Sequence, residues 1–334
     1  MSDPFKALSD DERQRLRPTG HPDWIAPTLA TLTHDHFSDP AWLYERKLDG
    51  QRCLAFRHGD RLRLLSRSKQ KLNGTYPELV EALERQDAAD FVVDGEVVAF
   101  AQGLTSFARL QQRLGISDPA EARRRRVAVY FYLFDLLHLD GHDTRRLPLR
   151  ARKSLLRQAL SFTEPLRFTA HQNETGEAMY RDACAKGWEG IIAKRADAPY
   201  HSGRGTQWLK FKCSASQELV IGGFTEPSGS RVGLGALLVG YYDGDDLVYA
   251  GKVGTGYDQQ TLRDLRARLD DLATDESPFA RNGIRERRAH WARPELVAEI
   301  AFTEWTSDGK LRHPRFQGLR QDKKPTDVVR EQPH

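Results

Sequence analysis

A chain of 334 residues is too long for one small core and suits about two domains. Hydrophobic residues make up 39% of it and charged residues 29%, the mixture of a globular rather than a disordered protein. No apolar run approaches the roughly 20 residues that a membrane-spanning helix needs, so no membrane association is expected. The polar amino terminus is no secretory signal. The net charge of +4 says little about partners, because neutral-looking proteins carry local basic patches. Three cysteines, Cys53, Cys184 and Cys213, lack any C-x-x-C pairing; they predict a reducing compartment and no zinc ribbon.

Residues 1–24 read as a loosely attached leader. From Tyr44 to Leu65 the pattern is short strands and turns: YERKL, an Asp49-Gly50 turn that signals a hairpin, RCLAF, then RLRLL. Residues 77–85 begin with proline and carry apolar residues at helical spacing. Phe91–Phe100 reads as a strand pair or as one strand bent at Asp94-Gly95, 105–114 as a short helix, and Val127–Leu137 as a buried strand. Helices follow at 150–160 and 174–186, and strands at 190–195 and 208–213. After Cys213 the composition changes to glycines among short β-prone runs (ELVIGGF, ALLVGYY, LVYAGKVG), then a helix at 258–272 and the strand LVAEIAF. Short strands with one late helix predict a small Greek-key barrel of the OB type. The boundaries are therefore drawn at 1–24, 25–213 and 214–334.

Four segments carry chemistry. Glu45-Arg46-Lys47-Leu48-Asp49-Gly50-Gln51-Arg52 puts a lysine beside a tight turn, where its amine can enter a cleft; a surface hairpin would look the same. FVVDGEVVAF places Glu96 in an apolar stretch, where a carboxylate needs a partner or a cation. Glu189 opens a buried strand that Lys194 closes. Trp208-Leu209-Lys210-Phe211-Lys212 alternates, so Lys210 and Lys212 share a face. Two ammonium groups side by side suit an anion between them, and phosphate is the natural one. The arginine runs 123–126 and 281–293 (Arg281, Arg285, Arg287, Arg288, Arg293) fit either solvated surface or a phosphate backbone.

In this order the segments resemble the nucleotidyltransferase motifs of ATP-dependent DNA ligases: Glu45–Arg52 motif I, Ser66-Arg67 motif Ia, Asp94-Gly95-Glu96 motif III, Tyr132–Asp135 motif IIIa, Glu189–Lys194 motif IV and Leu209–Lys212 motif V. The tail, from Glu304-Trp305-Thr306 through Arg312-His313-Pro314 to Gly318–Lys323, is similar to motif VI in the ligase module of bacterial end-joining ligases. The resemblance covers about residues 20–325. It implies an α+β fold: an adenylation (nucleotidyltransferase) domain with antiparallel sheets and flanking helices, followed by an OB-fold β-barrel.

The roles below are those the resemblance implies. Lys47 attacks the α-phosphate of ATP, which requires a neutral amine although a free lysine titrates at about 10.4; Lys194, Lys210 and Lys212 nearby disfavour its ammonium form. Glu96 and Glu189 hold Mg²⁺ or Mn²⁺, or contact ribose. Lys210 and Lys212 cradle the α-phosphate. Phe134 stacks on adenine, although an aromatic in an apolar strand equally reads as core. Glu45 reads the exocyclic amine through side chain or backbone. Arg52, Arg67 and Arg204, the last in a glycine turn, contact ribose and the 5′-phosphate. Arg320, Asp322 and Lys323 of the tail assist adenylation. The expected product is a sealed nick in duplex DNA, in repair or end joining. The expected setting is a cytoplasmic, nucleoid-associated monomer with a Ku-like end-binding protein as candidate partner.

The end-joining ligases often carry fused polymerase and phosphoesterase modules, which 334 residues cannot hold, so a stand-alone ligase or an excised module is expected. With no large amino-terminal DNA-binding domain, an insert near the 281–293 stretch would help to grip DNA. Two other readings remain. An RNA ligase or a capping guanylyltransferase shares the early motifs but not the tail. A non-catalytic OB-fold nucleic-acid binder would have lost Lys47 or its carboxylates, which are present.

Overall fold

A computed structural model describes residues 4–332 apart from 228–231, 281–283, 285, 287 and 322. Two sheets build the first half. In one, Gln51–His58 pairs antiparallel with Arg61–Ser66 and with Asp90–Ala101, which pairs in turn with Val129–Leu139. Alternation divides its faces. Cys53, Ala55, Val93 and Val97 meet the apolar stripes of the helices Pro77–Glu84 and Leu149–Ala159. Leu54, Phe56, Val92, Phe134 and Leu137 face the other way and pack with Ile25, Tyr200 and Trp208.

The second sheet runs His171–Asn173, Trp42–Arg46, Gly190–Arg195, Gly203–Lys212, Thr28–Leu32. One face, with Tyr44, Ile191, Ala193, Leu209 and Phe211, packs against Met179 and Ala183 of the helix Gly176–Ala185. The opposite face carries the polar residues taken up below.

The strands flanking Asp49-Gly50 do not form the expected hairpin. Trp42–Arg46 belongs to the second sheet and Gln51–His58 to the first, so residues 47–50 cross between sheets. The dipeptide signal reports a local turn, whereas pairing is decided by distant partners. Two contacts fix the crossing. Asp49 Oδ2 accepts the Phe107 N–H at 3.1 Å, at the start of the helix Phe107–Gln111. Gly50 lies so close to the Val97 carbonyl and the Glu96 side chain that a Cβ would collide with them, which requires glycine. The Asp94-Gly95 stretch is one bent strand, with a register shift at that point.

Two further expectations are corrected. The leader is not loosely attached. Phe5 and Leu8 are buried in the main core, and the helix Asp10–Arg15 is closed by a Ser9–Glu12 capping box. Arg17 and Pro18 pair with Asp143 and His142. The polar composition of the segment masks the two apolar anchors. Nor are the cysteines all thiols. Cys184 and Cys213 form a disulfide, with Cα atoms 5.2 Å apart, because the carboxyl end of Gly176–Ala185 returns beside the end of Gly203–Lys212; Cys53 is buried and free.

The chain divides into one compact unit that runs to Cys213 and another, Ser214–Gln332. In the second, Ser216–Thr225 is central, pairing with Leu237–Asp243 and with Ala289–Ala301, and Arg315–Arg320 adds beyond the latter. Leu262, Leu265 and Leu269 of the helix Gln259–Asp271 complete its core. No described helix is long and apolar enough to cross a membrane.

Phe5→Ala removes a buried aromatic that holds the amino-terminal segment, and should cost about 3 kcal/mol. Urea unfolding read by tryptophan fluorescence measures this; a change within about 0.5 kcal/mol, the range of ordinary surface substitutions, would mean that the segment contributes nothing.

Candidate active site

The residues on the open face of the second sheet follow from its register. Glu45 is opposite Ile192, which is opposite Lys210; Lys194 is opposite Trp208; Gly190 is opposite Lys212. Directly paired residues point to the same side, so Glu45, Lys194, Lys210 and Lys212 share one face, as their strict alternation predicts. Lys47, two residues beyond Glu45, follows the same strand. Its N–H bonds to the Gly190 carbonyl at 2.9 Å. Gly190 has φ +144° and a Cβ there would strike the Phe211 carbonyl, so only glycine lets this strand start pass under Lys47.

Lys47 Nζ forms an ion pair with Glu189, both side chains about four-fifths buried. The two residues come from segments 142 positions apart. Across the cleft, Glu96 lies opposite Arg52 and Tyr132 in the first sheet, on the face that carries Leu54 and Phe134.

Behind the reacting end is a buried charge cluster. The Glu45 carboxylate accepts from Lys153 Nζ at 2.5 Å and pairs with Lys194 Nζ at 2.6 Å, and all three side chains are 2% exposed. Burial would raise the Glu45 pKa, but Lys153 and Lys194 outweigh it and hold the carboxyl below its ordinary 4.5. Burial, aided by Lys153, pushes Lys194 down to about 8 against the pull of Glu45. Of the two routes expected for Glu45, side chain or backbone, both side-chain oxygens are committed to ammonium groups, which leaves the backbone for contact with a base. Lys153 was not singled out in the sequence, where it is one basic residue of an amphipathic helix.

Phe134 lies in the apolar cluster between the sheets, edge-on to Trp208. Lys194 Nζ is 4.0 Å from its ring centre and 3.9 Å from that of Trp208; the Arg52 guanidinium is 4.8 Å from the Phe134 centre. Arg52 also donates twice to Asp94, both at 2.5 Å, and to the Thr28 carbonyl at 3.2 Å. Asp94 accepts the Tyr200 hydroxyl at 2.6 Å as well. Burial lowers the Arg52 pKa, Asp94 raises it, and the net shift is upward, so this guanidinium stays charged and fixed. Asp94 was named only as part of the Asp94-Gly95-Glu96 motif and Tyr200 not at all, because the two lie 106 residues apart and no local pattern announces their pairing.

The remaining predicted residues lie in other segments of the chain. Arg67 follows the strand Arg61–Ser66. Arg204 is exposed and lies in the strand Gly203–Lys212, opposite Leu29, rather than in the expected turn; the flanking glycines signal a turn, but pairing with Thr28–Leu32 extends the strand over them. Its Nη1 bonds to the Ala30 carbonyl at 2.7 Å. In the second unit, Arg320 ends the strand Arg315–Arg320 opposite Val297, and Lys323 donates to Glu218 at 2.9 Å. Asp322 and, in the basic stretch, Arg281, Arg285 and Arg287 lie outside the described residues. In the 123–126 block, Arg123 pairs with Glu81 and Arg125 with Glu121, all exposed, which favours the solvated-surface reading there.

The Glu45 cluster predicts a pH-dependent stability. A carboxyl with a lowered folded pKa contributes stability that is complete above its ordinary 4.5 and is lost as pH falls through the folded value. Glu45→Gln strands two buried ammonium groups and should cost about 3–5 kcal/mol at pH 7, the gap to wild type narrowing below pH 4.5. Urea titrations from pH 3 to pH 8 measure it; a gap that stays constant over that range would refute the assignment.

The model of the ATP dependent DNA ligase domain matches residues 27–212, and that of the ATP dependent DNA ligase C terminal region matches 230–323. The multifunctional non-homologous end joining protein LigD of Pseudomonas aeruginosa is 37% identical over 323 residues, covering 94% of this chain but 38% of that protein. The LigD of Mycobacterium bovis is 38% identical, covering 92% and 40%. A solved mycobacterial DNA ligase D complexed with ATP and MES is 35% identical with a TM-score of 0.64, covering 92% of this chain and 98% of that one. The chain thus spans about two-fifths of the length of these LigD relatives. Its fold is a nucleotidyltransferase domain followed by an OB-fold-type domain, and it belongs to the ATP-dependent DNA ligase family of enzymes.

Proposed function

We propose that this chain adenylates itself on Lys47 with ATP and then seals nicks between a 5′-phosphate and a 3′-hydroxyl in duplex DNA, in the end-joining repair to which its LigD relatives are assigned by name. The observation that carries the proposal is the meeting of Lys47 and Glu189 where the chain crosses between two sheets, with Lys210 and Lys212 on the same face.

The chemistry is three displacements at phosphorus. The Lys47 Nζ lone pair attacks the α-phosphate, the bond to the β-phosphate oxygen breaks, pyrophosphate leaves and a phosphoramidate forms. The 5′-phosphate oxygen of the nick displaces Lys47 and takes the AMP. The 3′-hydroxyl oxygen then attacks that 5′-phosphorus, losing its proton, and AMP departs. Positioning and charge neutralisation supply most of the catalysis in such transfers. Lys47 must separate from Glu189 to become nucleophilic. Lys210 and Lys212 balance the oxygens of the α-phosphate. Arg52, held by Asp94, offers a fixed positive charge toward ribose, Phe134 a face for adenine, and Arg67 and Arg204 contacts to the nick phosphate.

Glu189 and Glu96 are the carboxylates proposed to hold a cation, and oxygen donors of this kind suit a hard dication such as Mg²⁺ or Mn²⁺. When bound, that ion would supply charge neutralisation of phosphate oxygens. Arg320, Asp322 and Lys323 are proposed to assist the first step only, because the β- and γ-phosphates are present only then. A Ku-like end-binding protein remains a candidate partner and the monomer the proposed state. The substrate points to the cytoplasm at the nucleoid; the Cys184–Cys213 disulfide is the feature that runs against a reducing compartment.

Incubation with α-labelled ATP and Mg²⁺ should label Lys47 and no other residue, as mapped by mass spectrometry. Label on Lys194 or Lys210, or undiminished labelling of Lys47→Ala, would sink the assignment.

A second experiment separates the steps. Arg320→Ala and Lys323→Ala should lower the rate of Lys47 adenylation by at least about tenfold, the equivalent of one lost charge-assisted contact, yet seal a nick that already carries 5′-AMP at near wild-type rate. Lys212→Ala should impair both. Equal losses in the two assays for the tail variants would remove their step-specific role.

A further inference from the structure

A second constellation lies at the far end of the first sheet. His58 ends the strand Gln51–His58 directly opposite Asp90, which opens Asp90–Ala101. Arg52 and Glu96, which face the cleft, are six residues away along each strand, about 20 Å at the rise of an extended chain. Three imidazoles converge on the one carboxylate. His21 Nδ1 is 2.7 Å from Asp90 Oδ1, His58 Nδ1 is 3.3 Å from the same oxygen, and His138 Nε2 is 3.2 Å from Oδ2. The ligand atoms of His21, Asp90 and His138 all lie within 4.8 Å of one another.

We infer that His21, Asp90 and His138, with His58 as a fourth donor, form a binding site for one Zn²⁺-class ion. Two or three imidazole nitrogens with one carboxylate oxygen are the donors that borderline dications select, whereas Mg²⁺ and Mn²⁺ prefer all-oxygen sets. Tetrahedral bonds of about 2.0–2.1 Å place neighbouring donor atoms about 3.4 Å apart. The separations from Asp90, 2.7, 3.2 and 3.3 Å, all fall short of that value, the last two by little, so small side-chain rotations outward would admit the ion. Histidine 138 is 1% exposed and the His21 side chain 9%, which leaves few solvent competitors on that side. His58, 64% exposed, is free to turn toward the ion.

The surroundings brace these ligands. The Gly141 N–H donates to Asp90 Oδ2 at 2.9 Å and the Asp140 N–H to the Asp90 carbonyl at 2.9 Å, so the carboxylate is held from the loop that follows Val129–Leu139; such supporting bonds orient metal ligands. The alternative is a plain hydrogen-bonding hub, in which each histidine donates one N–H to Asp90. On that reading Asp90 is saturated by the three imidazoles and the Gly141 N–H and no ion binds, which is the outcome that the titration below separates from the proposal. An ion here would tie the segment at His21 to three strands of the sheet, a structural clip remote from phosphate chemistry.

The test uses the full chain stripped with a chelator and dialysed. Co²⁺ is then titrated in, the visible d–d spectrum followed, and Zn²⁺ added in competition, with thermal unfolding recorded alongside. One equivalent should bind with a Kd below about 10 μM, give the intense band of a four- or five-coordinate ion, be displaced by Zn²⁺, and raise the melting temperature. His21→Gln and Asp90→Asn should weaken binding at least tenfold, and His58→Ala, an exposed change that leaves the core untouched, should weaken it less. Glu189→Gln, in the cleft, should leave the band unchanged. Circular dichroism checks that each variant is folded. The inference is overturned if wild type binds no stoichiometric Co²⁺, if the band is that of a six-coordinate ion, if folded His21→Gln and Asp90→Asn bind as wild type does, or if Glu189→Gln abolishes the band.

Discussion

Crowding several lysines onto one face of a buried sheet is costly, because each ammonium group loses its water and repels its neighbours. Two carboxylates make it possible here. Glu45 lies between Lys153 and Lys194 at 2.5 and 2.6 Å, and Glu189 meets Lys47. The first pairing is fully buried and joins the helix Leu149–Ala159 to two strands of the second sheet, so it fixes the floor of the cleft. The second is partly open and lies where the chain crosses to the other sheet. The same chemical device is therefore fully buried at depth and partly open at the crossing, where the proposed function gives it a chemical role.

The crossing at residues 47–50 is what converts this charge arrangement into a site. Had the segment made the hairpin that Asp49-Gly50 suggests, Lys47 would have lain at a surface turn. The glycines at 50 and 190 instead admit backbone contacts that any side chain would block, and Asp49 is held by the Phe107 N–H. Lys47 is thus brought between two walls, one carrying Lys210 and Lys212, the other Glu96 and Arg52.

Much of this was legible in the sequence. Alternation over Trp208–Lys212 placed Lys210 and Lys212 on a common face, and the proline-led stripe of 77–85 gave the helix Pro77–Glu84. What stayed hidden depends on distant partners. Lys153 and Glu45 are 108 residues apart, Arg52 and Asp94 are 42 apart, and Tyr200 reaches Asp94 across 106; no local pattern encodes such pairs. The leader misled for a different reason: two apolar side chains, Phe5 and Leu8, hold a segment whose average composition is polar. Gly203 and Gly205 misled in the same way, since strand pairing overrode their turn preference.

The fixed and the separable charges have different consequences for a reaction in steps. Arg52 is bound through three hydrogen bonds to Asp94 and Thr28 and flanked by aromatic rings, so it cannot follow a substrate; whatever it contacts must come to it. Such rigidity suits a group that binds the same part of the adenylate throughout, because it costs no reorganisation at each step. The Lys47–Glu189 pair is the opposite case. On the proposed mechanism it opens for attack on ATP, reforms or is replaced when Lys47 carries AMP, and opens again for the next cycle. A partly exposed pair can do so, because solvent weakens the attraction that a dry interior would strengthen. On that mechanism, placing the locked ion pairs at depth and the separable one at the mouth is what would allow one rigid cleft to serve successive displacements without being rebuilt between them.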